Sequence, residues 1–268
     1  MIHLPVFDPV ALNIPIPYVG DLPIRWYALA YIGGFLLGHR YLLHLVAKHP
    51  VQNLTKERVE NLFIYIVLGV ILGGRFGFVL FYHLPYFIQH PLHIFYTWQG
   101  GMSFHGGILG VTIAGLLFCW KHKIHPADVG DRLAIVVPIG LLLGRIANFI
   151  NGELWGRPTD LPWAMVFPTD PTQLPRHPSQ LYEAGLEGVL LLTVLWFISR
   201  KTIRRWQPMG IFILGYGLAR FTVEFVRQPE EHLYLEGFYL TSGQWLSVPM
   251  LLVGTYILFI KARKTNLK

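Results

Sequence analysis

The sequence has few charged side chains and a single cysteine. Charged residues make up 14% of the 268 residues, hydrophobic residues make up 53%, and the mean hydropathy is +0.45. Because soluble domains carry about 25% charged residues, this composition excludes an ordinary soluble domain. One cysteine excludes an intramolecular disulfide and a cysteine-based metal cluster. Cys119 ends an apolar run, and we expect it to pack there as a small apolar side chain.

Basic residues are absent from the start of the chain. No Lys or Arg precedes Arg25, whereas a cleaved signal peptide begins with a basic stretch and continues with an unbroken apolar core. Prolines also interrupt this region, at positions 5, 9, 15, 17 and 23. We therefore expect no signal peptide, and we expect residues 1–25 to form an extended or short interfacial segment on the outer side of a membrane.

Long apolar runs dominate the rest of the sequence. A helix of about 20 apolar residues spans the hydrocarbon core of a bilayer, and runs near that length recur between residues 26 and 260. The sequence therefore predicts an all-α polytopic membrane protein with one transmembrane domain over 26–260. We predict about seven spans, at 26–46, 61–82, 103–120, 132–151, 181–199, 208–226 and 242–260.

The positions of the basic residues predict how the chain crosses the membrane. The net charge is +7, and most Lys and Arg lie in alternate short connections and in the tail at 261–268. By the positive-inside rule these segments are cytoplasmic, which places the N-terminus outside, in the periplasm, and the C-terminus in the cytoplasm. The long proline-rich loop at about 152–180 is then an outer loop. No nucleic-acid partner is expected, because the charge forms no single basic face.

Three cations, Arg75, Arg145 and Arg220, lie within predicted spans. An Arg at the centre of a membrane helix costs at least about 2.5–3.5 kcal/mol on insertion scales, so it indicates a functional site by default. Arg220, Glu224 and Arg227 are spaced i, i+4 and i+7 and share one helical face. Two cations to one anion, with Arg145 added, predict an excess of positive charge and hence an anionic ligand. A phosphate suits the planar guanidinium best, and ion pairing within the protein is the alternative.

Four residues far apart in sequence are predicted to share one depth, near the outer membrane boundary. Arg145 and Arg220 lie toward the outer ends of their spans, whereas Tyr27 and His105 lie at the outer starts of theirs. His105 is followed by two glycines, and an imidazole titrates near neutrality, as a general base must. A structural or interfacial role is the alternative for this histidine.

The chain carries four longer motifs, in this order: H-G-G from His105, G-R-I-A-N-F-I-N-G-E-L-W-G from Gly144, H-P-S-Q-L-Y-E from His177 and R-F-T-V-E-F-V-R-Q-P from Arg220. These motifs resemble those of the bacterial prolipoprotein diacylglyceryl transferases. Each motif alone is moderately specific, and all four in a seven-span frame are highly specific. The resemblance covers most of the chain.

The resemblance implies a reaction and its partners. Enzymes of this family transfer the diacylglyceryl group of phosphatidylglycerol to the thiol of the lipobox cysteine of a preprolipoprotein, which forms a thioether and releases glycerol phosphate. The expected partners are therefore phosphatidylglycerol and preprolipoprotein signal peptides. The expected location is the bacterial inner membrane, crossed several times. No metal or other cofactor is expected, and the histidines show no metal-ligand spacing.

The resemblance also implies roles for particular residues. His105 is the candidate base for the cysteine thiol, while Arg145 and Arg220 are expected to bind the phosphate and to stabilise the charge that grows on it. Further residues are expected to orient the arginines and the head group, to line the entrance or to let the loop pass closely. These expected substrate-binding residues are Tyr27, Asn148, Asn151, Glu153, Gly156, Glu224 and Arg227.

A transporter for an anionic solute, with the same arginines as its binding site, is the competing interpretation. Transporter folds commonly contain internal repeats and broken helices near the membrane midplane. This sequence shows no convincing repeat, and its intramembrane cations are expected near one face. These features favour chemistry at the membrane surface.

Overall fold

A computed structural model describes residues 2–16, 20–97, 100–228 and 240–262. Helices make up most of them, and short strands lie near the N-terminus and in the 152–180 loop. The strands are β1 (Ile2–His3), β2 (Val10–Ile16), β3 (Gly20–Arg25), β4 (Met165–Val166) and β5 (Pro175–Arg176). The helices are α1 (Trp26–Lys48), α2 (Lys56–Phe81), α3 (Leu84–Gln89), α4 (Phe104–His122), α5 (Pro126–Ile150), α6 (Ser179–Glu183), α7 (Leu191–Ser199), α8 (Gln207–Val223) and α9 (Ser242–Tyr256). A π-helical segment, Ala184–Leu190, joins α6 to α7 in one continuous helix.

Helices that are long and apolar enough to cross a bilayer confirm the predicted class. The described residues contain five of them: Lys56–Phe81, Phe104–His122, Pro126–Ile150, Ser179–Ser199 and Ser242–Phe259. Helices α1 and α8 cover the two other predicted spans. The chain is therefore a mainly helical polytopic membrane protein, while the count of seven spans and the orientation of the termini stay predictions.

The chain divides into two compact units, one of Met1–Tyr41 with Asp131–Lys268 and one of Leu42–Gly130. In the second unit, α2 packs along α4 through facing glycines. A Cβ atom added to Gly73 would lie 2.7 Å from the Cα atom of Gly110, and one added to Gly77 would lie 2.6 Å from the Cα atom of Gly106. Glycines spaced by four residues on both helices therefore let the two backbones approach closely.

Arg75 of α2 is a buried cation in this second unit, with 7% of its surface exposed. Its guanidinium donates hydrogen bonds to the backbone carbonyls of His93 at 2.6 Å, Ile94 at 2.7 Å and Gly100 at 2.7 Å. Two further carbonyls accept longer bonds. These carbonyl dipoles stabilise the charge, and the arginine in turn fixes the connection that leads from α3 to α4.

Arg75→Lys is expected to lower the free energy of unfolding by about 1.5–3 kcal/mol, which is the contribution of a hydrogen bond to a charged group. The loss is expected because a single ammonium cannot reach all of these carbonyls. Thermal unfolding in detergent measures the loss. Arg58→Lys is the matched control, since among the described residues the guanidinium of Arg58 donates to one backbone carbonyl, that of Asn53. Equal stability of the two variants would contradict this role for Arg75.

In the first unit, close helix contacts position the candidate site. A Cβ atom on Gly188 would lie 2.7 Å from the Cβ atom of Leu142, so the helix Ser179–Ser199 lies directly against α5. The buried carboxylate of Asp131 accepts hydrogen bonds from the backbone N–H groups of Trp206 at 2.6 Å and Met209 at 3.0 Å. It therefore satisfies N–H groups at the start of α8. These contacts hold α5 beside both of the other helices.

The strands belong to the same unit. β2 and β3 form an antiparallel hairpin, while β1 pairs in parallel with β4, which pairs antiparallel with β5. The extended strands β1–β3 are one of the two conformations expected for residues 1–25, and the location of this segment on the outer side stays a prediction. Most of the tail predicted at 261–268, namely residues 263–268, lies outside the described residues.

Candidate active site

Charged side chains from three helices meet in the first unit. We call this group the ionic cluster. Its members are Arg145 of α5, Glu183 and Glu187 of the helix Ser179–Ser199, Arg220 of α8, and Glu224 and Arg227 of the turn that follows α8.

Glu183 pairs with arginines from both neighbouring helices. Its Oε1 atom accepts hydrogen bonds from Nη1 of Arg220 at 2.5 Å and from Nη1 of Arg227 at 2.9 Å. Its Oε2 atom lies 3.2 Å from Nη1 of Arg145, and the side chain has no exposed surface. One buried carboxylate therefore links α5, α6 and the end of α8.

The two other carboxylates of the ionic cluster each pair with one arginine of the described ranges. Oε2 of Glu187 accepts hydrogen bonds from Nε of Arg145 at 3.3 Å and from Nη2 at 3.1 Å. Oε2 of Glu224 lies 3.1 Å from Nη2 of Arg220. A Cβ atom on Gly243 would lie 2.5 Å from the carboxyl carbon of Glu224, so the glycine near the start of α9 makes room for this carboxylate.

The charges of the ionic cluster balance, with three arginines and three glutamates among the described residues. The predicted excess of positive charge is therefore wrong, because the count from the sequence omitted Glu183 and Glu187. Buried carboxylates pair with every arginine of the cluster. Ion pairing within the protein, the alternative interpretation, is present in the structure.

The arginines are nevertheless the accessible members of the ionic cluster. The side chains of Arg145 and Arg220 are 16% and 18% exposed, whereas those of Glu183 and Glu187 are 0% exposed and that of Glu224 is 5% exposed. A ligand that approaches the cluster therefore meets guanidinium N–H groups first. An anion at this position could accept hydrogen bonds from these guanidinium groups, although the buried carboxylates balance their charge.

Four of the predicted substrate-binding residues form a second group, which we call the amide cluster: Tyr27, Asn148, Asn151 and Glu153. Nδ2 of Asn148 donates to Oε1 of Glu153 at 2.8 Å and to the hydroxyl of Tyr27 at 3.5 Å. Nδ2 of Asn151 donates to the same Glu153 oxygen at 3.5 Å. Because Asn148 lies one helical turn beyond Arg145 on α5, the amide cluster adjoins the ionic cluster. The side chain of Glu153 is exposed.

Gly156 lets the 152–180 loop lie directly on the chain that follows α8. Its N–H donates to the carbonyl of His177 at 2.9 Å, and the next N–H, of Arg157, donates to the carbonyl of Val226 at 2.8 Å. A Cβ atom on Gly156 would lie 2.5 Å from that Val226 oxygen, so no side chain fits. This is the close passage that the resemblance implies for Gly156, and it fixes the backbone beside Arg227.

A buried ion pair stabilises the rest of the loop. Nε of Arg176 donates to Oδ2 of Asp170 at 2.5 Å. Thr172 donates its hydroxyl and its N–H to the same carboxylate. The guanidinium of Arg176 lies 3.9 Å from the ring centroid of Trp155. Burial by itself would raise the pKa of Asp170, but the hydrogen bonds from Arg176 and Thr172 outweigh it and hold the pKa below the usual value.

The stability of the protein is expected to fall below about pH 4 because of Asp170. A carboxyl whose pKa is lowered on folding contributes stability above its unfolded pKa of about 3.9, and that contribution is lost as the pH falls through the folded pKa. Asp170→Asn is expected to be less stable than the wild type at pH 6 and to lose less stability on acidification. Melting temperatures in detergent from pH 6 to pH 3 test this. Asp160→Asn, an exposed substitution in the same loop, is the control and should leave the wild-type pH dependence unchanged. If the melting temperatures of the wild type and of Asp170→Asn fell in parallel with pH, Asp170 would not be the cause of the loss.

His105 belongs to the other unit, Leu42–Gly130, where it lies in the first turn of α4. The hydroxyl of Ser103 caps this helix by accepting a hydrogen bond from the N–H of Gly106 at 3.2 Å. The residue is exposed, and its imidazole contacts the ring of Phe104. The relation of His105 to the ionic cluster stays a prediction.

Sequence reasoning did not assign Glu183 and Glu187 to the site. The signal was present, because two carboxylates spaced by four residues lie in an otherwise apolar span, and intramembrane carboxylates need partners. The same spacing identified Arg220 and Glu224. A local sequence pattern does not identify the partner of each of these two carboxylates, because that partner is an arginine on another helix.

The fold and the site together define a polytopic membrane protein in which two accessible guanidinium groups, those of Arg145 and Arg220, lie beside buried carboxylates. The chain belongs to the prolipoprotein diacylglyceryl transferase family, whose sequence profile matches residues 14–260, and it is therefore a membrane-embedded transferase. A relative from Bordetella parapertussis is 49% identical over 263 residues, 98% of each chain. One from Bradyrhizobium diazoefficiens is 50% identical over 98% of this chain and 95% of its own, and one from Azospirillum brasilense is 50% identical over 96% and 95%. Each is named phosphatidylglycerol–prolipoprotein diacylglyceryl transferase.

Proposed function

We propose that this chain transfers the diacylglyceryl group of phosphatidylglycerol to the thiol of the lipobox cysteine of a preprolipoprotein and releases glycerol phosphate. The observation that carries the proposal is the exposure of Arg145 and Arg220 in an otherwise buried ionic cluster. A phosphodiester presents paired oxygens, which the planar guanidinium binds in a fork. The substrates are those that the names of the relatives state.

Arg145 and Arg220 stabilise the leaving group in this proposal. The thiolate sulfur attacks the glycerol carbon that carries the phosphate ester, a sulfur–carbon bond forms, and the carbon–oxygen bond breaks. The electron pair of that bond goes to the phosphate oxygen, so negative charge grows next to the guanidinium groups. Donors that Glu183 already holds in place need no reorganisation at that moment, which is the condition for effective electrostatic catalysis.

The amide cluster is proposed to bind the head group. Phosphatidylglycerol ends in a glycerol with two hydroxyls, which both donate and accept hydrogen bonds. The exposed carboxylate of Glu153 accepts from a hydroxyl, while the amides of Asn148 and Asn151 hold that carboxylate in position. Tyr27 and Arg227 complete the lining of the entrance.

His105 is proposed to take the proton of the lipobox thiol. A thiol with a pKa of about 8.5 is mostly protonated at neutral pH, so a base accelerates the reaction. His105→Gln is expected to lower kcat at pH 7 by on the order of 10². Its residual rate should rise about tenfold per pH unit up to the pKa of the thiol, because the thiol then ionises without help.

The pH profile of kcat from pH 6 to pH 9.5 tests the role of His105, with His90→Gln as a control histidine that is also exposed in the same unit. A His105→Gln enzyme that keeps near wild-type turnover at pH 7 would exclude the histidine as the base.

Transfer by the purified protein in detergent tests the proposed function. The assay combines phosphatidylglycerol labelled in its diacylglyceryl group with a lipobox peptide and with the same peptide carrying Ala in place of Cys. Label in a thioether on the cysteine peptide alone is the expected result. No product from folded protein that binds both substrates would overturn the proposal, and passage of an anionic solute across vesicles that contain the protein would then be tested instead.

We further propose that the protein lies in the bacterial inner membrane with its N-terminus in the periplasm and its C-terminus in the cytoplasm. The placement of basic residues in alternate connections supports this orientation. Alkaline phosphatase fused after residue 268 should be inactive, and the same fusion within the 152–180 loop should be active. The reverse pattern would invert the topology.

A further inference from the structure

Glu187 is a buried carboxylate that is only half satisfied. The side chain has no exposed surface, and its Oε2 atom accepts both hydrogen bonds that Arg145 directs toward it. Its Oε1 atom has no hydrogen-bond partner within the described residues. An unpaired oxygen on a buried carboxylate is costly, so its retention calls for a functional explanation.

The three carboxylates of the ionic cluster differ in their partners. Glu183 pairs with three arginines, one of them at the end of α8 and one just beyond it. Glu224 pairs with Arg220 one turn away. Among the described residues, Glu187 has Arg145 as its only ion-pair partner. It contacts two donors of one guanidinium, the Nε atom and one Nη atom, and thereby fixes the plane of that group.

The backbone around Glu187 is also unusual. The residue lies in the π-helical segment Ala184–Leu190, and π-helical turns are rare and frequently occur at functional sites. The next residue, Gly188, lets this segment lie directly against Leu142 of α5, one turn before Arg145. The helix register and the close contact together bring the carboxylate to the Nε edge of the guanidinium.

We propose that Glu187 is a positioning residue that orients the guanidinium of Arg145 for the transition state and competes with the anionic lipid for it. The inference rests on the proposed function. A carboxylate on the Nε and Nη2 edge fixes the direction of the remaining N–H bonds, which raises kcat. The same carboxylate lowers the affinity of the guanidinium for the phosphodiester of the substrate, because both anions accept from one donor group.

Two opposite effects are therefore expected for Glu187→Gln. The amide oxygen still accepts a hydrogen bond, but a neutral acceptor is roughly half as strong as a charged one, so Arg145 is less well oriented and kcat falls about tenfold. Without the competing charge, the KM for phosphatidylglycerol falls severalfold. A merely structural role would reduce the amount of folded enzyme and would leave the KM of the folded molecules unchanged.

The experiment measures kcat and KM for phosphatidylglycerol in mixed micelles, with the wild type, Glu187→Gln and Glu187→Asp. The aspartate withdraws the carboxylate by one methylene and should change both constants in the same directions, which keeps the test decisive if the glutamine variant does not fold. Glu60→Gln, an exposed substitution on α2, should match the wild type. A kcat within twofold of the wild type, or a KM that is unchanged or higher, would overturn the role of Glu187. Absence of transfer by the wild type would instead overturn the proposed function.

Discussion

Arg145→Lys is expected to lower kcat for diacylglyceryl transfer by on the order of 10²–10³, the loss seen when a preorganised donor to developing negative charge is removed. Lysine keeps the positive charge, but its ammonium is a point charge and cannot present the planar fork. In this structure the fork also meets two carboxylates at once, Glu187 through Nε and Nη2 and Glu183 through Nη1. A lysine cannot satisfy both of them and a phosphate.

The measurement is the rate of thioether formation under saturating phosphatidylglycerol, with melting temperatures to establish that the variant is folded. Arg204→Lys, an exposed substitution outside the clusters, is the control and should retain wild-type activity. Full activity of Arg145→Lys would show that a paired hydrogen bond to phosphate is not used.

Glu183→Gln is expected to lower the free energy of unfolding by about 3–5 kcal/mol, since removing one partner of a buried ion pair leaves uncompensated charge. Three arginines then face two carboxylates, and the amide must direct its N–H groups toward one guanidinium. Activity should fall with stability, because Arg145 and Arg220 both lose the acceptor that fixes them. Glu60→Gln again serves as the exposed counterpart.

A second substitution separates charge balance from general damage. Glu183→Gln combined with Arg227→Gln removes one cation along with one anion, so the double variant should lose less stability than the sum of the two single variants. Strict additivity of the two losses would show that Glu183 and Arg227 do not interact, although the structure places their atoms 2.9 Å apart.

The sequence predicted those parts of the fold and site that depend on local patterns. Apolar length located the helices, and the i, i+4 spacing on one helix joined Arg220 to Glu224. The strands were not predicted, because β1 pairs with β4, more than 160 residues away, and such pairing leaves no local signature. The partners of Arg75 were equally hidden, because backbone carbonyls have no identity in a sequence.

The error in the charge count has the same origin. Glu183 and Glu187 were visible as acids in an apolar span, but the excess of positive charge was counted on one helix plus Arg145. The balance exists only once α5, the helix Ser179–Ser199 and α8 lie side by side. The expectation of an anion site then depends on the exposure of Arg145 and Arg220, which is a property of packing.

The division of the ionic cluster among three helices has a consequence for how the protein is made. Helix α5 carries Arg145, the helix Ser179–Ser199 carries Glu183 and Glu187, and α8 carries Arg220. Helix α5 alone would bring Arg145 into lipid without these partners, and the helix Ser179–Ser199 alone would bring two carboxylates, at about 2.5–3.5 kcal/mol per charge. In α8, Arg220 already has a partner one turn away, Glu224. We therefore expect the three helices to enter the bilayer together, so that the ionic cluster assembles during membrane insertion.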